Sequence, residues 1–189
     1  MLKHVMAAVI LCAAAALQAA PALKAGTFDP PRPAPEIALP AADGTQFSLA
    51  AQKGKVVILE FGYATCRDVC PISLAMLANA RAKLGPLADR LQVVFITVDP
   101  ERDTPKVLRE YLANFDKTFV GITGTPAQME AIRQAYGISA TKKVQARGGY
   151  TMGHSSYLYY VDPQGRLRAL QPFGRPADDV VHDVKALLE

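Results

Sequence analysis

Buried strands that alternate with helices, then a closing hairpin and helix, predict an α/β fold for this 189-residue chain. Three observations carry that prediction. Predominantly apolar runs rich in β-branched residues at 55–61 and 91–98 are typical of strands covered on both faces of a sheet. Helical apolar spacing follows each of them. Asp162-Pro163-Gln164-Gly165 marks a tight turn between two late strands. The resulting order, βαβ followed by ββα, is that of a thioredoxin-like three-layer domain with a central mixed sheet flanked by helices.

The chain opens on Met1-Leu2-Lys3-His4, runs through apolar residues 5–17 and reaches the small-residue stretch Ala19-Ala20-Pro21-Ala22. A positive start, an apolar middle and an A-x-A-like end are the marks of a secretory signal. Residues 1–22 are therefore expected to be a signal peptide, or a membrane anchor if retained. The apolar run falls short of the roughly 20 residues a spanning helix needs, which favours cleavage. Cys12 would leave with it, and the bulky Leu11 before it argues against lipidation there. Residues 23–36 carry Pro30, Pro31, Pro33 and Pro35 and read as an extended Pro/Ala-rich spacer. The domain is expected to occupy residues 37–189.

Within it, Asp43-Gly44 is a hairpin-turn signal with Phe47 and Leu49 alternating behind it. The strand at 55–61 leads into a helix over 71–84, where Pro71 suits the first turn and Gly85-Pro86 ends the run. After the strand at 91–98, Asp103-Thr104-Pro105 caps a helix with Val107, Leu108, Tyr111, Leu112 and Phe115 on one face. Residues 119–122 read as a short strand, and Thr125-Pro126-Ala127-Gln128 as a capping box that starts a helix with Met129, Ile132 and Tyr136 inward. Residues 154–161 and 166–170 form the late hairpin. Pro176 opens a last helix striped by Val180, Val184, Leu187 and Leu188.

The formal net charge of +4 is spread without any Lys/Arg block, which argues against nucleic-acid binding. Of three cysteines, only Cys66 and Cys70 remain beyond the signal segment. A core of this size needs no disulfide staple, so the pair points to chemistry. The C-x-x-x-C spacing at a strand-to-helix junction lets both sulfurs approach one soft ion, or each other in a disulfide. The helix N-terminus, with Arg67 between the cysteines, should lower thiol pKa. Two thiolates leave a metal site incomplete. His4 lies in the signal segment, His182 falls on the polar side of the last helix, and His154 opens a strand after the glycine-rich segment 148–153. In a thioredoxin-like topology that loop faces the cysteine helix, so His154 is the candidate third ligand. Thiolates and imidazole suit copper, whereas zinc usually takes a fourth ligand. Met152 is a soft donor nearby but reads as a gap-filler. Asp99 to Pro105 reads first as a turn and cap, with support of the cysteine loop or partner docking as the alternative, and Asp68 reads either as orienting a neighbouring donor or as a cap for the helix after Cys70.

Together these residues resemble the Sco/SenC family of copper-binding proteins that assist cytochrome c oxidase assembly. The likeness rests on Phe61-Gly62-Tyr63, on Thr65-Cys66-x-Asp68-Val69-Cys70-Pro71, on Val98-Asp99-Pro100-Glu101-Arg102-Asp103-Thr104-Pro105 and on Gly121-Ile122-Thr123-Gly124. It continues through His154-Ser155 and Tyr159-Tyr160-Val161-Asp162-Pro163-Gln164-Gly165, and spans about residues 36–188 in order. The resemblance implies Cys66, Cys70 and His154 as ligands of one copper, Cu(I) or Cu(II). It also implies a periplasmic copper chaperone that serves the dinuclear copper centre of cytochrome c oxidase subunit II. The alternative is a thiol–disulfide oxidoreductase that cycles Cys66 and Cys70 as a redox-active pair and reduces the acceptor's cysteines. Another copper chaperone or a thiol reductant would be further partners. Arg67 and Gly153 depart from the family, which usually has Pro and often Asp there. A thiol peroxidase is disfavoured, since its pocket signature is missing and His154 would be idle.

Overall fold

The computed structural model describes residues 22–146 and 148–189, so the expected signal segment up to residue 21, with His4 and Cys12, lies outside the described residues. Along the chain run β1 (Gly26–Pro33), β2 (Ala38–Pro40), β3 (Gln46–Ser48), β4 (Val56–Gly62), α1 (Val69–Leu84), β5 (Leu91–Thr97) and α2 (Pro105–Leu112). They are followed by β6 (Val120–Ile122), α3 (Pro126–Tyr136), β7 (Ala140–Val144), β8 (Tyr150–His154), β9 (Tyr157–Val161), β10 (Arg166–Pro172) and α4 (Ala177–Leu188). Six strands make one sheet in the order β1-β10-β9-β4-β5-β6, and β2-β3 and β7-β8 are separate ribbons. β4, β5 and β6 are parallel, while β9 runs antiparallel to β4 and to β10.

β4 is buried along its whole length because both faces are covered. Side chains alternate across a strand, and so the run divides between two cores. Val56 and Ile58 pack with Leu74 and Leu77 of α1, Leu108 of α2 and Val180 and Val184 of α4. Val57, Leu59 and Phe61 pack with Met129, Ile132 and Tyr136 of α3 and with Phe47. The helices thus sandwich the mixed sheet, as the element order predicts. The caps of α2 and α3 also form as read. Thr104 accepts from the Val107 N–H to start α2, and Thr125 and Gln128 close a reciprocal capping box on α3.

Two expectations are corrected. Residues 23–36 do not act as a free spacer. β1 pairs antiparallel with β10 from Gly26↔Leu170 to Pro33↔Arg166, with a register shift between Thr27 and Arg32 where Pro30 and Pro31 supply no N–H. Prolines are tolerated there because β1 is the outer strand of the sheet. Fully buried Asp183 of α4 accepts from the Lys24 and Ala25 backbone N–H groups at 2.7 and 2.9 Å, so the packed unit begins well before Ile37. The strand expected at 154–161 is likewise two strands. His154 ends β8, which pairs with β7 in a hairpin from Ala140↔His154 to Val144↔Tyr150, and β9 starts afresh at Tyr157. Lys142 and Lys143 hid β7, because a solvent-exposed strand shows no apolar alternation.

Candidate metal centre

β4 ends in Gly62 directly beneath the cysteine helix. A Cβ there would lie 2.7 Å from the Phe95 ring and 2.9 Å from Cys70 Sγ, so only glycine lets the sulfur approach the strand. The chain then turns, with the Cys66 N–H donating to Tyr63 O at 3.0 Å, and α1 begins at Val69, one residue before Cys70. Asp68 occupies the cap position but its carboxylate caps nothing. The turn is held from below instead. The Ala64 N–H donates to Asp103 Oδ2 at 3.0 Å, and the same oxygen accepts the Thr97 hydroxyl at 2.6 Å. Asp103 therefore ties the cysteine loop to the end of β5, while Thr104 alone does the capping.

His154 arrives from the other side on β8, with Nε2 3.9 Å from Cys70 Sγ. Its Nδ1 lies 2.8 Å from the Ser155 carbonyl oxygen, which can only accept. Nδ1 therefore carries a hydrogen, and Nε2 is the ring nitrogen that faces the sulfurs. The Tyr63 ring packs edge-on against the imidazole at 5.8 Å between centroids. The base of the β7–β8 hairpin is latched to the loop before α2. Arg102 stacks on the Tyr150 ring at 3.8 Å, donates through Nη1 to Tyr150 O at 2.9 Å and pairs through Nε with Asp99. The Tyr150 hydroxyl donates to the other oxygen of buried Asp99 at 2.9 Å, and Lys142 pairs with Glu101 at 2.7 Å. Adjacent residues 102 and 103 thus brace the two halves of the site, one holding the histidine hairpin and the other the cysteine loop.

The two thiols are not lowered together, as the sequence had implied. The hydrogen bond that Cys66 accepts from Cys70 pulls its pKa down to about 3, against the opposing cost of burial and with help from a hydrogen bond with His154 and from the Asp68 and Cys70 amides at the start of α1. Cys70 moves the other way, because it keeps the proton that it gives to Cys66 and because it is buried. Arg67 is exposed, and hydrogen bonds lead the lowering of Cys66. Both cysteines are free thiols. Glu60, on the α1 face of β4, is also buried beneath the site, and desolvation raises its carboxyl to about 8.

Among the described residues, no three His, Cys, Asp or Glu side chains already stand at coordinating distances from one point. Cys70 and His154 are nonetheless close enough to share an ion. A metal about 2.3 Å from sulfur and about 2.0 Å from imidazole nitrogen spans at most about 4.3 Å between them. The observed 3.9 Å falls within that reach. The proton shared by the two sulfurs would leave as a soft cation replaced it. The other candidates lie elsewhere: His182 pairs with Asp183 on α4, and Met152 packs against the core on the α3 face.

A family model described as SCO1/SenC matches residues 30–189. The chain belongs to the SCO1/SenC family. This SCO1/SenC protein is 35% identical over 138 residues to a putative copper-binding protein of Stutzerimonas stutzeri, covering 72% of the present chain and 68% of that one. It is 35% identical over 140 residues to the mitochondrial protein SCO2 of Saccharomyces cerevisiae, covering 72% of this chain but only 46% of the yeast protein. Among solved structures, copper-bound ScoI of Bradyrhizobium japonicum superposes with a TM-score of 0.76 at 33% identity, over 82% of this chain and 98% of the other. Apo Sco1 of Thermus thermophilus gives 0.78 at 34% identity, over 88% and 97%. The fold is accordingly thioredoxin-like α/β.

Proposed function

We propose that this SCO1/SenC protein is an exported, periplasmic copper chaperone that binds one copper through Cys66, Cys70 and His154. It would deliver that copper to the dinuclear copper centre of cytochrome c oxidase subunit II. The observation that carries the reading is His154 Nε2 facing Cys70 Sγ at 3.9 Å, with the Cys66 thiolate hydrogen-bonded to both of them. Copper-bound relatives support the identity of the cargo. A further relative, BsSco, 25% identical with a TM-score of 0.67 over 84% of this chain and 94% of its own, is described as a member of the Sco family of cytochrome c oxidase assembly proteins. Delivery follows from the chemistry of the donors. Incoming thiolates replace Cys66 and Cys70 one at a time, so the soft ion always keeps sulfur ligands. The half-exposed Cys66 is the accessible end of that exchange. The signal-like start of the chain supports export, and no described helix is long and apolar enough to cross a membrane.

The split in thiol acidity favours a second activity of the same pair. The Cys66 thiolate can attack an acceptor disulfide, forming a mixed disulfide and releasing one acceptor thiolate. Cys70, once deprotonated, then attacks the Cys66 sulfur and releases the second. The protein is left oxidised and the acceptor reduced, and a thiol reductant restores the pair.

His154→Ala separates the two readings. We expect copper affinity, measured by competition with a chromogenic Cu(I) chelator, to fall at least about 100-fold. The Cys66–Cys70 reduction potential should stay close to that of the wild type. Wild-type copper affinity in the alanine variant would remove His154 from the site. A wild-type protein that takes up no copper but reduces a disulfide in subunit II would leave the oxidoreductase reading in its place.

A further inference from the structure

A cleft of about 160 Å³ opens on the α1 side of the sheet, with Cys70 and His154 on its wall. Its sides are mostly apolar, with Val69, Ile72 and Met76 of α1, Tyr157 at the start of β9 and Phe173 just after β10, beside Ser73, which hydrogen-bonds the Glu60 carboxyl, and Ser156 and Arg175. Four large apolar side chains are exposed among the described residues, and three of them, Ile72, Tyr157 and Phe173, ring this cleft. Clustered exposure of that kind marks an interaction surface more often than scattered exposure does.

The floor has a different chemistry. Glu60, Leu158 and Gln171 lie side by side across β4, β9 and β10, and all three line the cleft. Glu60 and Gln171 are almost completely buried. The Tyr160 hydroxyl donates to Gln171 Oε1 at 2.7 Å, which fixes the carboxamide's orientation and leaves Nε2 as its free end. Gln171 Nε2 and Glu60 Oε2 are both buried without a hydrogen-bond partner. Such atoms are uncommon in folded proteins, and here two of them share one floor. Gln171 Nε2 can only donate, while a Glu60 carboxyl that holds its proton at neutral pH both donates and accepts.

We propose that this cleft is the docking pocket for one side chain of a partner polypeptide, a side chain with an apolar body and a tip that both donates and accepts hydrogen bonds. A tyrosine phenol and a glutamine carboxamide have that chemistry. A cavity of about 150 Å³ accommodates a benzene-sized group, so the volume suits one such body. The tip would pair the two floor atoms, and Ile72, Tyr157 and Phe173 would be covered by the flanking chain. The occupant is a polypeptide because Cys70 and His154 stand on the wall of this cleft, so a partner that takes the ion from them lies beside its mouth. That part rests on the copper-transfer reading, whereas the chemistry of the floor does not.

The reduced, metal-free protein is titrated with N-acetyl-tyrosinamide and N-acetyl-glutaminamide, and with their tipless counterparts N-acetyl-phenylalaninamide and N-acetyl-norleucinamide, while amide resonances are followed by NMR. We expect saturable shifts at residues 69–76, 157–158 and 171–175 with a polar-tipped probe, and at least about tenfold weaker binding of its counterpart. That preference should vanish in Glu60→Leu/Gln171→Leu, or in Gln171→Met if the double variant does not fold. Equal binding of a probe and its counterpart, or no shift in the cleft by any probe, overturns the pocket. The rim variant Ile72→Ser/Phe173→Ser should load copper from a small-molecule complex as the wild type does. It should pass that copper to the soluble domain of oxidase subunit II at least about tenfold more slowly. Wild-type transfer by the rim variant overturns the polypeptide occupant. Failure of the wild type to load copper overturns the chaperone reading, while the titration still decides the cleft.

Discussion

Asp103→Ala would cut the single oxygen that joins the cysteine loop to β5. The Ala64 N–H and the Thr97 hydroxyl both lose their acceptor. Hydrogen bonds to a charged group contribute roughly 1.5–3 kcal/mol each, so the gross loss is about 3–6 kcal/mol. Part of that returns, because burial already disfavours the carboxylate, raising its pKa, and its Oδ1 is unpaired. A net destabilisation of about 2–3 kcal/mol is expected. Copper affinity should fall as well, since the backbone before Cys66 must then be ordered when the ion binds. Ordering costs about 1–2 kcal/mol per residue, so even one freed residue weakens binding by roughly 5- to 30-fold. Asp103→Asn provides the control. Its carboxamide oxygen can accept both donors while the NH2 replaces the unpaired oxygen, so stability should remain within about 1 kcal/mol of the wild type. Urea unfolding of the reduced apoprotein and Cu(I) competition measure the two effects. An asparagine variant as damaged as the alanine variant would refute the hydrogen-bond account, and so would an alanine variant that matches the wild type in both assays.

Three further outcomes are expected. Glu60 has a folded pKa near 8 against an unfolded value near 4.5, so its own contribution to the stability of the reduced apoprotein falls as pH rises through that window, by up to on the order of 5 kcal/mol, while Cys66, held down to about 3, acts in the opposite direction. Glu60→Gln removes only the first contribution, so its stability relative to the wild type should rise from pH 5 to pH 8, and urea melts in which that difference stays constant or shrinks would contradict it. Tyr150→Phe takes a donor from buried Asp99 and loosens the latch; copper affinity should drop about 3- to 10-fold, and hydrogen exchange should speed up in β7 and β8 but not in β4 or β5. Gly62→Ala forces a methyl against the Phe95 ring and Cys70 Sγ and should cost about 1–3 kcal/mol in thermal unfolding, together with a loss of copper affinity.

Much of this protein was legible in the sequence because the signals are local. The apolar run of β4, the capping box of α3 and the Thr104 cap of α2 are each set by neighbours within a few residues, and each forms as read. Cys66 and Cys70 were equally legible, since their spacing and their place at a strand-to-helix junction lie within one short segment. Tertiary structure decided what depends on distant partners. Residues 23–36 look like a spacer until β10 and Asp183 offer hydrogen bonds to them. Asp103 looks like part of a cap until its carboxylate is seen holding Ala64, 39 positions away, and Arg102 and Tyr150 look like loop residues until the hairpin folds between them. The division of acidity between the thiols and the burial of Glu60 also arise only when the strands and α1 pack, because hydrogen bonding and desolvation act through space. The sequence by itself determined which donors the chain carries. Only the folded sheet decided that His154 Nε2 would meet Cys70 Sγ across 84 positions of chain, because that approach is set by strand pairing and by the latch on the hairpin.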